Sequence, residues 1–294
     1  MEKAVYHLPG LFEFYDFYRK FLPIYREKTE YFYDWCQIGS LYGAPADCLW
    51  AGGRVSTGNA DPRQVLALTE EYGLSARLTF SNSLLCPEHL KDPKCNRLCA
   101  LFGEKPGNGV IVHSELLLDY LKERYPNFYF VSSTTKVLTD FEDLTAETER
   151  PDFRYVVPDF RLNKAFDRLA GLKEKRKVEF LCNECCWPGC RERKACYENV
   201  SRKNLGERCP DHICAAPEGE KGYRFSAAMK NPAFIGIRDI REIYLPMGFS
   251  QFKIEGRGLG SAMLLEFILY YLTKPEYQLP LREEMYLDSM LDLF

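Results

Sequence analysis

Cysteine is concentrated in one part of the chain, residues 182–214. Seven of the twelve cysteines lie there: Cys182, Cys185, Cys186, Cys190, Cys196, Cys209 and Cys214. Thiols spaced this closely are typical of metal centres, because several thiolates must converge within a few ångström of the metal. Disulfides fit less well, since residues 1–10 lack the apolar run of a secretory signal. This Cys-rich loop therefore predicts a bound metal ion or cluster.

The spacing within the Cys-rich loop favours iron–sulfur over zinc. Cys182 and Cys185 form a C-x2-C pair, but no second such pair follows, whereas structural zinc sites commonly use two. The remaining intervals are irregular, as in many four-cysteine sets that hold [4Fe–4S] clusters. We therefore predict a [4Fe–4S] cluster, with zinc as the alternative. His212, between the last two cysteines, is a further candidate ligand, and so is the more distant Cys48.

The charge of the loop is consistent with this prediction. Residues 191–208 contain six Lys or Arg side chains against three Glu. Such a local excess can offset a negatively charged thiolate-bound cluster or attract an anionic molecule. A solvated loop surface is the alternative interpretation.

Other residues with useful chemistry fall at the ends of predicted strands. Glu255 and Arg257 follow the strand pattern 251–254, and His113 ends the pattern 109–113. A carboxylate beside a guanidinium can transfer protons or anchor a substrate, and a histidine can relay a proton. We predict these three as catalytic residues around one cavity, with the Cys-rich loop in its wall. Structural ion pairing and hydrogen bonding are the alternatives.

A second set of strand-end residues is predicted to bind substrate. These are Asn82, Asp159, Arg161 and Arg238. Asp159 is equally suited to capping the helix that follows it. Among the other cysteines, Cys36 is predicted to lie in the core. Cys95 and Cys99 share a helical face, as a second metal site or as small buried side chains.

The elements that must position these residues alternate between strand and helix. Strands are predicted at residues 33–38, 74–80, 109–113, 128–131, 154–157, 177–181, 233–237 and 251–254, after an N-terminal helical segment at 11–32 with a break near Pro23. Eight such units over roughly 250 residues favour a TIM-type (β/α)8 barrel, here as one domain spanning residues 1–294. An open doubly wound sheet is the alternative, but no G-x-G-x-x-G follows any predicted strand. In a barrel, the carboxyl ends of the strands carry the chemistry.

Composition limits the possible binding partners and cellular location of the protein. The net charge of −3 argues against a globally basic nucleic-acid binder, and no apolar run approaches the length of a membrane span. Twelve cysteines without a secretory signal indicate a reducing compartment. We therefore predict a cytoplasmic protein.

Residues 252–257 read F-K-I-E-G-R, which resembles the signature of the collagenase-like peptidase family. Residues 38–45, I-G-S-L-Y-G-A-P, and the cysteine group between the two motifs also look like features of that family. The resemblance covers most of residues 33–260, in the same order. The family includes RNA hydroxylation proteins and the oxygen-independent ubiquinone hydroxylation pair.

The resemblance implies a [4Fe–4S] cluster held by four cysteines, two of them in the loop after the sixth predicted strand. Carried over by position, Cys190 with Cys186 or Cys196 looks like the first pair, and Cys209 with Cys214 like the second. This sequence has spare cysteines in the loop and lacks the family's usual C-x6-C spacing, so the exact quartet stays open.

The resemblance also implies a reaction class. We expect an iron–sulfur enzyme that hydroxylates a small molecule without molecular oxygen, or performs related redox or lyase chemistry; prephenate is an implied oxygen source in some members. One alternative is an accessory protein with a structural cluster, working with a related subunit. A peptidase is another, although no H-E-x-x-H or nucleophile motif is present. RNA is a less expected substrate, because the larger RNA-modifying members extend further beyond the signature.

Overall fold

The computed structural model describes residues 2–53, 58, 60–217, 219 and 225–287. Eight parallel strands form one sheet. In chain order they are β1 (Ala4–Pro9), β2 (Cys36–Gly43), β3 (Ser75–Phe80), β4 (Gly109–Val112), β5 (Tyr129–Ser132), β6 (Phe153–Val156), β7 (Glu179–Leu181) and β8 (Gln251–Lys253). Their order in the sheet is β6-β5-β4-β3-β2-β1-β8-β7, and a parallel bridge between Val156 and Val178 connects the two edges. The predicted (β/α)8 barrel is therefore confirmed.

Helices surround the strands. They are α1 (Tyr15–Glu27), α2 (Pro62–Glu71), α3 (Pro93–Phe102), α4 (Glu115–Arg124), α5 (Phe141–Glu149), α6 (Phe166–Ala170), α7 (Arg193–Asn204), α8 (Phe225–Met229), α9 (Ile237–Asp239), α10 (Ser261–Tyr271) and α11 (Gln278–Arg282). Asp61 caps α2 and Ser114 caps α4 through side-chain oxygens. The predicted break at Pro23 is wrong, because α1 continues through it with Phe17, Tyr18 and Phe21 buried on one face.

Two strand predictions are wrong. One strand was missed and one was predicted in error, so the total of eight strands is still correct. β1 (Ala4–Pro9) was not predicted, although it pairs with both β2 and β8 at the centre of the sheet. Residues 233–237 were predicted as a strand, but they form no named strand. Their alternating burial at Ala233 and Ile235 mimics one, yet they lie beside the loop after β7, where Ile235 N donates to Cys182 O. The Cys-rich loop accordingly follows the seventh strand, not the sixth.

Alternation along the strands divides the core in two. Outward-facing side chains such as Tyr6, Leu8, Phe180 and Phe252 pack against the helices in one large apolar cluster. Inward-facing side chains form a smaller apolar layer inside the barrel, with members Tyr42, Ile111, Val131, Val157 and Leu181. This inner layer is the floor beneath the carboxyl ends of the strands.

Candidate active site at the barrel mouth

A cavity opens at the carboxyl ends of the strands, and we call it the mouth cavity. It encloses about 580 Å³ of empty space, including the part open to solvent. Its walls come from six strands or their exits and from α7: Tyr42, Gly53, Thr79, Ser81, Ile111, Ser133, Thr134, Thr135, Leu181, Tyr197, Lys253, Glu255 and Arg257. The predicted Glu255 and Arg257 thus share one cavity. Tyr197 places the Cys-rich loop in its wall, as expected.

Several buried polar atoms of this cavity have no hydrogen-bond partner among the described residues. They are Thr79 Oγ1, Thr134 Oγ1 and Arg257 Nη2. Buried polar atoms in folded proteins are nearly always paired, because an unpaired one forfeits its hydration without replacement. Three such atoms around one cavity indicate a place where a polar ligand supplies the missing partners.

The Arg257 guanidinium lies against Gly53. A Cβ built on Gly53 would lie 2.7 Å from Arg257 Nη1, so a side chain at this position would require the guanidinium to shift. Burial lowers the pKa of Arg257, while Tyr42 and Glu13 oppose the shift. The Glu13 carboxylate in turn accepts a hydrogen bond from Gly258 N at 2.7 Å and so supports the turn that carries Arg257.

Glu255 is held through its backbone. Asn183, the second residue beyond β7, accepts a hydrogen bond from Glu255 N at 2.7 Å and donates one to Glu255 O at 2.9 Å. This reciprocal pair joins the exit of β8 to the start of the Cys-rich loop. The Glu255 side chain therefore has a fixed origin at the cavity wall.

Below the cavity floor, charged residues are packed inside the barrel, and we call them the interior cluster: His7, Arg77, Glu179 and Lys253. Arg77 Nη1 lies 2.5 Å from Glu179 Oε2, His7 Nε2 lies 3.5 Å from the same oxygen, and Lys253 Nζ lies 3.4 Å from Glu179 Oε1. All four side chains are at most 5% exposed. One carboxylate thus serves several basic groups.

The pKa values within the interior cluster follow from burial and this charge balance. Burial and the neighbouring Arg77 together lower the pKa of His7 to about 3, so His7 is neutral. Burial would raise the pKa of Glu179, but Arg77, with Lys253, holds it at about 2. Burial lowers the pKa of Lys253 to about 8, with Glu179 opposing and Arg77 assisting.

His113 contacts the cavity indirectly. His113 Nδ1 lies 2.8 Å from Thr135 Oγ1, which donates to Ser133 Oγ at 3.0 Å, and Ser133 donates to Ser81 Oγ at 2.9 Å. A chain of hydroxyls therefore links the histidine to the cavity wall. Burial lowers the pKa of His113 to about 4, with Lys136 assisting, so the ring is neutral at pH 7 and a weak base.

Two predicted substrate-binding residues hold the Cys-rich loop instead. Asp159 is fully buried and accepts hydrogen bonds from Arg161 N and, at 2.6 Å, from Arg161 Nε. Arg161 Nη1 donates to Cys190 O at 2.7 Å. The buried Arg193 of α7 lies 3.4 Å from Asp159 and 2.5 Å from Glu184. These ion pairs fix both ends of residues 184–193 to the barrel.

The remaining two predicted substrate-binding residues also lie outside the cavity lining. Asn82 is buried, and its amide donates to Leu49 O and Ser201 O at 3.1 Å, which joins the segments after β2 and β3 to α7. Arg238 is exposed in the short helix α9. Neither side chain lines the mouth cavity.

The segment that carries the last two cysteines lies along one face of α7. His212 Nε2 is 3.5 Å from Glu192, and Asn199 Nδ2 donates to Pro210 O and, at 3.6 Å, to Cys209 Sγ. Glu192, Cys196 and Asn199 are spaced to share that face of the helix. Cys196 is therefore on the helix face beneath residues 209–212.

The remaining loop cysteines differ in environment. Cys182 is fully buried among core residues, and burial raises the pKa of its thiol far above the ordinary value, which disfavours a thiolate ligand. Among the described residues, one group of three potential ligands brings its donor atoms within 4.8 Å: Glu184, Cys185 and Glu255. Glu184 already accepts from Arg193 and from the backbone N–H groups of Cys185 and Cys186. We therefore interpret that group as a structural contact.

The side chain of Cys48 contacts α3. Its Sγ lies 3.2 Å from Sγ of Cys95, in α3, and both thiols are buried. Burial and Cys48 raise the pKa of Cys99, the next cysteine on the same helix face. These three are small buried side chains, and Cys36 in β2 is buried as predicted.

Sequence reasoning missed Lys253, Thr79 and Thr134 as cavity residues. Lys253 stands inside the F-K-I-E-G-R motif, and two positions before Glu255 it must face the same side of the strand. That period of two was the available signal. Thr134 follows β5 in a run of four hydroxyl residues, 132–135, which is unusual at a strand exit and also marks a polar wall.

The fold and site together define a (β/α)8 barrel with a polar cavity at the carboxyl ends of its strands. No protein-family model matches the chain, and no curated protein matches its sequence. Among solved structures, the chain is similar to the U32 peptidase Mk0906, with a TM-score of 0.52 and 13% identity over 86% of this chain and 92% of that one. The resemblance to collagenase-like peptidases is thus confirmed at the level of the fold.

Membrane insertion of a helix finds no support. Within the described residues, every helix is too short or too polar to span a bilayer.

Proposed function

We propose that the chain is an iron–sulfur enzyme that acts on a small polar molecule in the mouth cavity, with oxygen-independent hydroxylation or a related redox or lyase reaction as its chemistry. The observation that carries the enzyme part is the set of unpartnered buried atoms of Thr79, Thr134 and Arg257 around one cavity. A purely structural barrel would gain stability by pairing or removing them.

The cysteines of the Cys-rich loop are proposed to hold a [4Fe–4S] cluster. Cys186, Cys190, Cys196 and Cys209 are partly buried, and Cys214 is exposed. Arg193 lies near Cys186 and Arg161 near Cys190, and Asn199 donates to Cys209 Sγ. Hydrogen bonds and cations around sulfur are common near bound clusters. We propose four of these five cysteines as ligands; when bound, the cluster would supply electron transfer or an open iron.

Within the cavity, the side chains have separable roles. Arg257 is proposed to bind an anionic group of the substrate, and the Thr79 and Thr134 hydroxyls to bind its oxygen atoms. Glu255 is proposed to transfer a proton at the substrate. His113 positions Thr135 rather than acting as a base at neutral pH, because its pKa is held at about 4.

Anaerobic purification tests this proposal. The protein should be brown, with about four iron atoms per chain, as expected for a thiolate-bound cluster. Cys209→Ser and Cys214→Ser should each lose iron, because a hydroxyl replaces a soft thiolate poorly. Cys36→Ser, in the core, should retain it. Stoichiometric zinc without iron would instead support a zinc site.

An accessory protein and a peptidase would each behave differently from the proposed enzyme. An accessory protein with a structural cluster would keep its iron and lose no function in Glu255→Gln, whereas an enzyme would lose turnover with its fold intact. A peptidase is suggested only by the family resemblance and by the name of the similar structure, a U32 peptidase. The one His–hydroxyl contact in the described cavity wall is between His113 and Thr135, and a histidine with a pKa of about 4 activates a hydroxyl poorly.

A further inference from the structure

The proposed function leaves one buried reactive group unused, the amine of Lys253. It is 4% exposed, it lines the mouth cavity, and its Nζ lies 4.0 Å from the centroid of the Tyr42 ring. Its contact with Glu179 is long, at 3.4 Å, whereas Arg77 approaches Glu179 to 2.5 Å. The amine therefore stands between a carboxylate already neutralised by arginine and an open cavity.

Charge counting shows why this amine differs from other lysines. Arg77 and Glu179 neutralise each other, and His7 carries no charge at neutral pH because its pKa is about 3. A protonated Lys253 is thus an excess buried cation, and Arg257 adds a further positive charge nearby. With a pKa of about 8, about one amine in four is unprotonated at roughly pH 7.5, against about one in a thousand for an exposed lysine.

We propose that Lys253 Nζ is a nucleophile that forms an imine with the carbonyl carbon of a small 2-oxo carboxylate bound in the mouth cavity. The proposal rests on the cavity being an active site, as proposed above, and is independent of the cluster. Buried lysines with a free amine are suited to this chemistry, since only the unprotonated form attacks a carbonyl.

Other side chains of the cavity are placed to bind the carboxylate and the carbonyl oxygen of such a molecule. The buried Nη2 of Arg257 has no hydrogen-bond partner among the described residues, and a carboxylate is the group that best complements a guanidinium. The Thr79 and Thr134 hydroxyls, which also lack described partners, can donate to the carbonyl oxygen. A molecule with a ketone next to a carboxylate satisfies the arginine, the hydroxyls and the amine together.

The step balances without an oxidant or reductant. The nitrogen lone pair forms the C–N bond while the π electrons of the carbonyl move to oxygen, which takes the proton released by nitrogen and gives a carbinolamine. That hydroxyl takes up one proton from solvent, relayed by the Glu255 side chain at the cavity wall, leaves as water and yields the protonated imine. One amine, one carbonyl and one proton thus give one iminium and one water.

Reductive trapping tests the proposal. Full-length, anaerobically purified protein is incubated with pyruvate and cyanoborohydride near neutral pH, and the adduct is located by peptide mapping. Occupancy at Lys253 should exceed that at Lys173, whose side chain is 82% exposed, by at least about tenfold. Lys253→Arg keeps the charge and should abolish the adduct at this position. Equal labelling of the two lysines, or none at Lys253, would overturn the proposal.

A second arm tests the substrate class. Arg257→Gln should reduce capture of pyruvate at least about tenfold more than it reduces capture of hydroxyacetone, a neutral ketone, which also controls for any change in the protonation of Lys253. Equal loss for both ketones would overturn the carboxylate assignment. Iron content and the effect of Glu255→Gln on turnover are measured on the same preparations. If iron is present and Glu255 matters but Lys253 is unlabelled, the imine proposal alone fails; if Lys253 is labelled without iron, the cluster proposal alone fails.

Discussion

Two polar regions lie one above the other along the barrel axis, and they differ in how their polar atoms are satisfied. In the interior cluster, Glu179 is within 3.5 Å of Arg77, His7 and Lys253, and His7 also lies 2.8 Å from Ser40 Oγ. In the mouth cavity, Thr79, Thr134 and Arg257 each keep an atom without a described partner. A satisfied network stabilises one fold, whereas unsatisfied groups beside open space indicate ligand binding.

Lys253 belongs to both regions, and it explains why they are adjacent. Its stem lies among the inward-facing residues of the barrel, its amine contacts Glu179 below, and the same amine lines the cavity above. The interior cluster therefore also sets the protonation state of a cavity residue. The comparison predicts that mutations below the floor reduce stability and mutations above it reduce binding.

The largest effect is expected at the interior carboxylate. Glu179→Gln preserves volume but leaves Arg77 and Lys253 buried without an anion, so the free energy of unfolding should fall by about 3–5 kcal/mol. Urea denaturation measures this change. The matched control is Glu149→Gln, a half-exposed carboxylate 3.6 Å from Lys173, which should change stability by less than about 0.5 kcal/mol. Similar losses in both variants would contradict a structural role for the cluster.

This buried cluster shows what could be predicted from sequence and what could not. The barrel was predictable because most strands carry apolar runs followed by helix caps. β1 was missed because His7 faces the charged interior and interrupts the apolar pattern of its neighbours. Residues 233–237 were mistaken for a strand because alternating burial also occurs in an extended segment with few ladder bonds. Hydrophobic periodicity indicates which residues are buried, but not which other part of the chain buries them.

The site was predictable only in part, for a related reason. Glu255 and Arg257 lie in a recognisable motif at a strand end, and both line the cavity. Asp159 and Arg161 have the same kind of position, yet they bind each other and the Cys-rich loop. The position of a residue at the end of a predicted strand indicates that it lies at the mouth of the barrel. Whether its side chain is available to a ligand depends on pairing with residues that are distant in sequence. Lys253 and Arg77 reach Glu179 across 74 and 102 residues, a contact no local pattern indicates.

The second effect is a loss of stability in acid. His7 has a pKa of about 3 in the folded protein and about 6.5 when unfolded, so between these values the unfolded chain binds one more proton. Stability from this group is present above about pH 6.5 and is lost as the pH falls toward 3, by up to about 1.4 kcal/mol per unit. His7→Gln should flatten the stability profile over this range. An unchanged slope would show that His7 titrates normally.

The third effect has the opposite sign and concerns Lys253. Lys253→Met removes an excess buried cation and keeps a side chain of similar length. Glu179 still forms its ion pair with Arg77. The free energy of unfolding near pH 7 should be unchanged or should rise by about 1–3 kcal/mol. In the unsubstituted protein, stability should increase between about pH 8 and 10.5, since the folded state releases its proton first, and this increase should vanish in the variant. A large loss of stability would make Lys253 a structural residue.

The smallest effect gives the sharpest comparison, because it uses two neighbouring threonines of the same cavity wall. Thr135 Oγ1 contacts His113 and Ser133, whereas Thr134 Oγ1 is buried without a described partner. Thr135→Val leaves His113 and Ser133 short of a partner and should lower the free energy of unfolding by about 1–2 kcal/mol. Thr134→Val removes only an unsatisfied hydroxyl, so stability should stay within about 0.5 kcal/mol or rise slightly. Capture of pyruvate should instead decrease in Thr134→Val. If both substitutions change stability equally and neither affects capture, the unpartnered hydroxyl has no ligand, and the mouth cavity would be as structural as the cluster beneath it.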